Sequence, residues 1–151
     1  MGSRLDLGRD ARRFLAGARR ATLGTIAADG VPRLVPICYA IHRTAPVLYS
    51  PLDEKPKRVG DVRELARVRD IARDPRVTVL VDRWDESWTR LAWLRCDGRA
   101  SLIEPVGADA AEHALAVEGL RARYAQYVDH DLAARPMLRI VVARTSSWGE
   151  P

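Results

Sequence analysis

Apolar residues change period twice in the first third of the chain. Leu7, Ala11, Phe14, Leu15 and Ala18 recur at helical spacing, so residues 7–18 are predicted to form a short amphipathic helix. From Ala21 to Ala28 small and β-branched residues alternate, which predicts a strand. It ends at Asp29-Gly30, a hairpin signal whose two turn residues are expected to take positive φ. A second strand, Val31–Ile41, follows, and its Pro32 and Pro36 predict bulges or a free edge. Val47–Ser50 is a third strand, closed by Pro51.

Asp61 and Glu64 have the spacing of a capping box. The helix they open is predicted to bury Leu65, Val68 and Ala72 and to stop before Asp74-Pro75. Arg63 and Arg67 fall on its opposite face, and Arg69 and Arg73 flank the apolar stripe. Val77–Val81 reads as a buried strand. After a turn around Asp85-Glu86, a long strand runs from about Arg90 to Ile103, with an interruption expected at Asp97-Gly98. A second box, Asp109 and Glu112, opens the longest helix, with Ala110, Ala114, Val117, Leu120, Tyr124 and Tyr127 along one face. Met137–Thr145 is the last strand.

Short hairpin links make the early strands antiparallel, which excludes the alternating βαβ pattern of a dinucleotide fold. The expected class is α+β, mainly β: an antiparallel barrel with peripheral helices. At 151 residues and 47% hydrophobic, residues 1–151 are expected to form one domain with a real core. No apolar run approaches the roughly 20 residues that cross a bilayer, and the Arg-rich start lacks a signal-peptide stretch, so a cytoplasmic protein with no membrane partner is expected.

Composition narrows the chemistry. Cys38 and Cys96 lie far apart, and His42, His113 and His130 are scattered, so neither a disulfide framework nor a metal site is expected and both cysteines read as core residues. No phosphate loop, zinc-protease helix or nucleophile elbow is present. The net charge of +5 calls for an anionic partner. Lys55, Lys57, Arg58, Arg63, Arg67 and Arg69 cluster between the third strand and the following helix, a combination suited to phosphate. The same cluster reads equally as a solvated helix face. Residues 52–76 contain no aromatic, which argues against nucleic acid.

The segments TLGTIAADGVPRLVPICYAI, VLYSPLDEKPK and LARVRDIARDPRVTVLVD, with DESWTRLAWLRCDGRASLIEP after them, resemble the pyridoxamine-phosphate-oxidase-like split-barrel superfamily. Within it they are most similar to the actinobacterial branch of coenzyme F420-dependent enzymes. The resemblance implies a split β-barrel of the FMN-binding kind and a homodimer with the cofactor between subunits. It implies an oxidoreductase that passes a hydride from F420 to a small organic acceptor. An FMN-dependent oxidase-like enzyme and a carrier that binds F420 or a flavin without turnover are the alternatives.

By the same resemblance Arg67, eight positions before Pro75, and Arg69 hold the cofactor phosphate, with Ser50 supplying a hydroxyl. The backbone at Val35 and Pro36 lies against the ring, and Trp88 reaches the cofactor of the neighbouring subunit. Lys57 competes with Arg67 for the phosphate, and Lys55 and Lys57 suit the acidic tail of F420. Asp70 stands where relatives commonly have Asn. Trp84 and Trp93 are expected in the core or a dimer interface. No catalytic acid or base is assigned; Tyr39 and Tyr49 are proton donors by type only.

Overall fold

The computed structural model describes residues 6–52 and 60–150. In chain order they form α1 (Arg9–Gly17), β1 (Ala21–Ile26), β2 (Pro32–Ile37), β3 (Ala40–Ile41), β4 (Val47–Pro51), α2 (Ala66–Arg73), β5 (Arg76–Arg83), β6 (Ala92–Ile103), α3 (Ala110–Arg123) and β7 (Met137–Trp148). The strands make one antiparallel sheet in the order β2-β1-β5-β6-β7-β4-β3. Only Cys38 and Tyr39 separate the two edge strands β2 and β3. The sheet therefore curls until its edges are neighbours, which is the expected split barrel. Among the described residues no helix is long and apolar enough to cross a membrane.

Alternation sorts the side chains into two cores. Leu23, Ile37, Leu48, Val79, Val81, Leu94, Cys96, Leu138 and Ile140 point inward and meet Phe14 and Leu15 of α1 and Val68 and Ile71 of α2. Val47, Tyr49, Ile103 and Met137 point outward and are covered by Ala116, Val117 and Leu120 of α3. Among the described residues nothing of this kind covers the outer side of β2, β1, β5 and β6. Leu34 there is 69% exposed and Leu80 is exposed beside it.

The long strand bends where the sequence signalled. β7 has one extra residue, Ala143, between the pairs Asp97↔Arg144 and Gly98↔Val142. The backbones close so tightly that a Cβ on Gly98 would lie 2.1 Å from the Val141 carbonyl oxygen. Glycine is required there by contact with the neighbouring strand.

Several local expectations change. Val31–Ile41 splits into β2 and β3 because Tyr39 leaves the ladder: its hydroxyl donates to the Leu15 carbonyl at 2.5 Å and its amide to the Tyr124 hydroxyl at 3.2 Å. Only Gly30 of the first hairpin turn takes positive φ, 84°. A longer loop results, closed by Gly30 N donating to the Ala27 carbonyl at 2.9 Å. Asp61 caps a 3-10 turn, Val62–Glu64, accepting from Arg63 N at 2.9 Å, and α2 starts after Leu65. Asp109 makes no side-chain cap for α3, and accepts instead from Glu104 N at 3.3 Å.

The buried faces of both later helices are also rotated from the predicted stripes. On α2 Asp70 and Ile71 are buried and Ala72 is exposed; on α3 His113 and Ala116 are buried and Ala114 is exposed. In each helix a polar side chain finds a partner inside. The His113 ring meets the Arg135 carbonyl at 2.6 Å, and Asp70 is tied to β1 and β2 as described below. Tyr124 and Tyr127 lie past α3, the second in the 3-10 stretch Ala125–Asp129. Cys96 is fully buried, whereas Cys38 is only partly so.

Candidate functional site

Most of the residues singled out above lie on β2, on β4 and on α2. Val35 packs against the interior core, the same cluster that holds Leu52 after β4 and Val68 and Ile71 of α2. Pro36, the next residue, faces outward and is exposed. Ser50 is buried on the inner side of β4, opposite Leu138. On α2, Arg67 is half-buried and Arg69 is exposed. Lys55, Lys57 and Arg58 lie outside the described residues. Arg63 is committed elsewhere: its guanidinium donates to both oxygens of Glu104 at 2.7 Å.

A buried carboxylate fixes α2 against β1 and β2, and sequence reading did not assign it a role. Asp70 is 3% exposed. Its Oδ2 accepts from Thr25 Oγ1 at 2.9 Å and from Arg33 Nε at 2.8 Å, and its Oδ1 lies 3.5 Å from the Arg73 guanidinium. Thr25 was the available signal. It occupies an inward position of β1 in line with Ala21 and Leu23, and a polar group there needs a partner.

Trp88 does not join these residues within one chain. It sits at 72% exposure in the turn after β5, whereas α2 leads into the start of β5. Eight residues of strand span roughly 25 Å, so one barrel holds the two at opposite ends. Trp84 is exposed too, not in the core, and Trp93 is half-buried on the outer side of β6. Tyr39 and Tyr49 are both buried. The Tyr49 hydroxyl donates to Glu112 Oε1 at 2.6 Å, and burial followed by that bond pushes its pKa up. Burial likewise holds the proton on Tyr39. Both hydroxyls serve the fold.

The uncovered outer side contains two adjoining hollows. One of about 670 Å³ is lined by Gly24, Leu34, Thr78, Arg76, Arg99 and Arg144 among others, and one of about 500 Å³ by Gly24, Leu34, Thr78, Leu80, Trp93 and Arg95 among others. Both share Gly24, which has no side chain, and Arg76, Arg95, Arg99 and Arg144 stand around them together with Asp82 and Asp97, the latter paired with Arg95 at 3.6 Å and Arg144 at 3.0 Å. Ligand sites fall in this size range, and an apolar floor with a few charged groups suits a flat anionic molecule. Among the described residues no three His, Cys, Asp or Glu side chains gather at metal-ligand spacing.

The comparisons with known proteins agree with this architecture. A conserved hypothetical protein of Mycobacterium tuberculosis superposes with a TM-score of 0.72 at 24% identity, over 96% of this chain and 87% of its own. A FAD-binding protein of Mesorhizobium loti superposes with a TM-score of 0.64 at 22% identity, over 90% and 89%. A heme storage protein of Vibrio cholerae gives 0.65 at 13% identity, over 97% and 96%. None of the curated proteins matches the chain. The family model for pyridoxamine 5′-phosphate oxidase matches residues 7–149, so the chain belongs to that family.

Proposed function

We propose that the protein is an oxidoreductase that binds coenzyme F420 between two copies of the chain and serves a small organic acceptor. The observation that carries this reading is the side of β2, β1, β5 and β6 left open among the described residues, an apolar floor at Leu34 and Leu80 within a rim where four arginines outnumber Asp82 and Asp97. A second copy laid on it removes that surface from water and leaves a groove for a flat anionic ring system. The ring supplies the hydride when bound. The protein contributes binding and orientation: by the resemblance, Arg67, Arg69 and Ser50 take the phosphate, β2 backbone at Val35 and Pro36 lies along the ring and Lys55 and Lys57 serve an acidic tail, while Gly24, Leu34 and Thr78 line both hollows on the outer side. Trp88 acts across the interface, because the length of β5 separates it from α2 of its own chain.

Haem is less suited to this surface. His42 Nδ1 accepts from Thr44 N and Ala45 N at 3.2 and 2.9 Å, His113 is buried, and the His130 ring stacks edge-on with Tyr127 at 5.5 Å. None of the three stands on the open side of the sheet.

Parallel fluorescence titrations of F420 and FMN, with light scattering on the same samples, test the proposal. Tighter binding of F420 by a dimer supports it, with a preference that shrinks in high salt because exposed ion pairs are screened. Equal affinities, or a salt-insensitive preference for FMN, make it a flavin enzyme. A bound, reduced cofactor that no added acceptor oxidises makes it a carrier.

A further inference from the structure

Gly24 stands in the middle of β1, where a glycine weakens a strand because it has no side chain to pack and gives up the most backbone freedom. The usual structural reasons for a glycine inside a strand do not apply to it. Its φ is not positive; among the described residues only Gly8, Gly30, Gly107 and Gly149 take that region. Its ladder is regular, pairing it with Leu34 on β2 and with Thr78 on β5 without a bulge. No neighbouring backbone crowds it either. A Cβ there would meet Leu34 Cδ2 at 3.3 Å and the Thr78 carbonyl oxygen at 3.6 Å. The first is the end of a flexible side chain that is 69% exposed, and the second is ordinary contact. Gly98 is the opposite case, with a carbonyl oxygen 2.1 Å from its Cβ position. The fold requires Gly98 and does not require Gly24.

A close approach by a ligand is the remaining reason for such a glycine. Gly24 is placed for it, since together with Leu34 and Thr78 it lines both outer hollows. Leu34 and Thr78 stand on the strands to either side, roughly 10 Å apart at two strand spacings. The Thr78 hydroxyl donates to Asp97 Oδ1 at 2.8 Å, so it is turned toward β6 and away from the glycine. Pro36, which the resemblance places along the ring, is two residues beyond Leu34 on β2 and shares the outer side with it. Such diagonal neighbours of a position lie roughly 7–8 Å from it, so one fused ring system reaches from Pro36 to Gly24.

We propose that the ring of the bound cofactor lies directly on the β1 backbone at Gly24, and that the missing side chain sets how closely the ring meets the sheet. This assignment rests on the cofactor reading given under Proposed function. A side chain at position 24 would fill the floor between the hollows and lift the ring, leaving the arginines around them and the phosphate-binding residues untouched.

Gly24→Val and Gly24→Ala test the assignment through melting temperature, mass by light scattering, and fluorescence titration with F420 and with FMN. Both variants should melt no lower than the wild type, because either residue suits a strand better than glycine, and both should keep its mass. Gly24→Val should weaken the cofactor that the wild type prefers at least tenfold, with a smaller loss in Gly24→Ala. A loss under tenfold in Gly24→Val overturns the assignment. A lower melting temperature in Gly24→Ala overturns it too, since the fold then needs the glycine. So does a changed mass without cofactor, since the close neighbour is then a second copy. If Gly24→Val does not fold, Gly24→Ala decides alone, with at least threefold weaker binding at an undiminished melting temperature expected. A wild type that binds neither F420 nor FMN removes the cofactor reading and this assignment together, whereas variants that bind as well as a binding wild type remove only the role of Gly24.

Discussion

Arg33 Nε donates to Asp70 Oδ2 at 2.8 Å, joining edge strand β2 to the buried side of α2. Thr25 on β1 donates to the same oxygen, so one carboxylate ties three elements. Removing it in Asp70→Ala leaves a buried hydroxyl and a guanidinium without their acceptor. The expected loss is about 2–3 kcal/mol in urea unfolding. Arg33→Ala removes only the half-exposed partner and should cost about 1 kcal/mol. If the two variants are equally stable, Asp70 is not the anchor of α2.

Arg123 should be as consequential for the other pole of the barrel. From the end of α3 its guanidinium donates to the Ala16 and Leu15 carbonyls at 2.9 Å and also to the Ala18 carbonyl. It lies 4.7 Å from the centre of the Tyr39 ring. α1 has no basic residue in its own last turn, so this cation closes its C-terminal carbonyls. Arg123→Ala is expected to cost about 2–3 kcal/mol, and Arg123→Lys to recover only part, since an ammonium cannot span several carbonyls. Chemical denaturation of the three proteins measures both.

Acid should destabilise the fold through paired carboxylates. Hydrogen bonds from Arg76 hold Asp74 down at about 2. Burial raises Glu112, but the Tyr49 hydroxyl and Arg139 outweigh it and its pKa is lowered; Asp97 is lowered in the same way by Thr78 and Arg144. The unfolded chain therefore binds more protons in acid than the folded one. The contribution is complete above the ordinary carboxylate range, roughly pH 4, and is lost as pH falls toward about 2. Urea midpoints should be flat near neutrality and fall below about pH 4, with a shallower fall in Glu112→Gln. A midpoint that rises on acidification contradicts this assignment.

Arg67 is the residue on which cofactor binding is expected to depend. Removing it in Arg67→Ala should weaken F420 by about 2–4 kcal/mol, roughly 30-fold to 1,000-fold, if its half-buried guanidinium holds the phosphate. Arg67→Lys should recover only part. Arg63 cannot serve as the idle control, because it holds Glu104. Arg43, exposed in the β3–β4 turn, can. Fluorescence titration in which Arg67→Ala binds no worse than Arg43→Ala moves the phosphate to another group, with Lys57 next.

The sequence by itself determined the local periods. Alternation located β1 and apolar runs bounded by turn residues located β4, β5, β6 and β7, Asp97-Gly98 marked the irregularity in β6, and short links made the early strands antiparallel. It also brought Val35, Ser50, Arg67 and Arg69 forward, chiefly through a resemblance spread over the chain. Contacts remote in sequence decided the rest. Tyr39 breaks a continuous strand pattern because its hydroxyl bonds a carbonyl 24 residues away. Asp70 and His113 rotate the buried faces of their helices because interior partners, the Thr25 hydroxyl that donates to Asp70 and the Arg135 carbonyl beside His113, satisfy polar groups that periodicity assigns to water. Leu34, Gly24 and Thr78 form a row only through the pairing of β2, β1 and β5. Local propensity acts over a turn or two of chain, whereas which side chains share a pocket is set by strand register, and register is fixed only when the sheet closes.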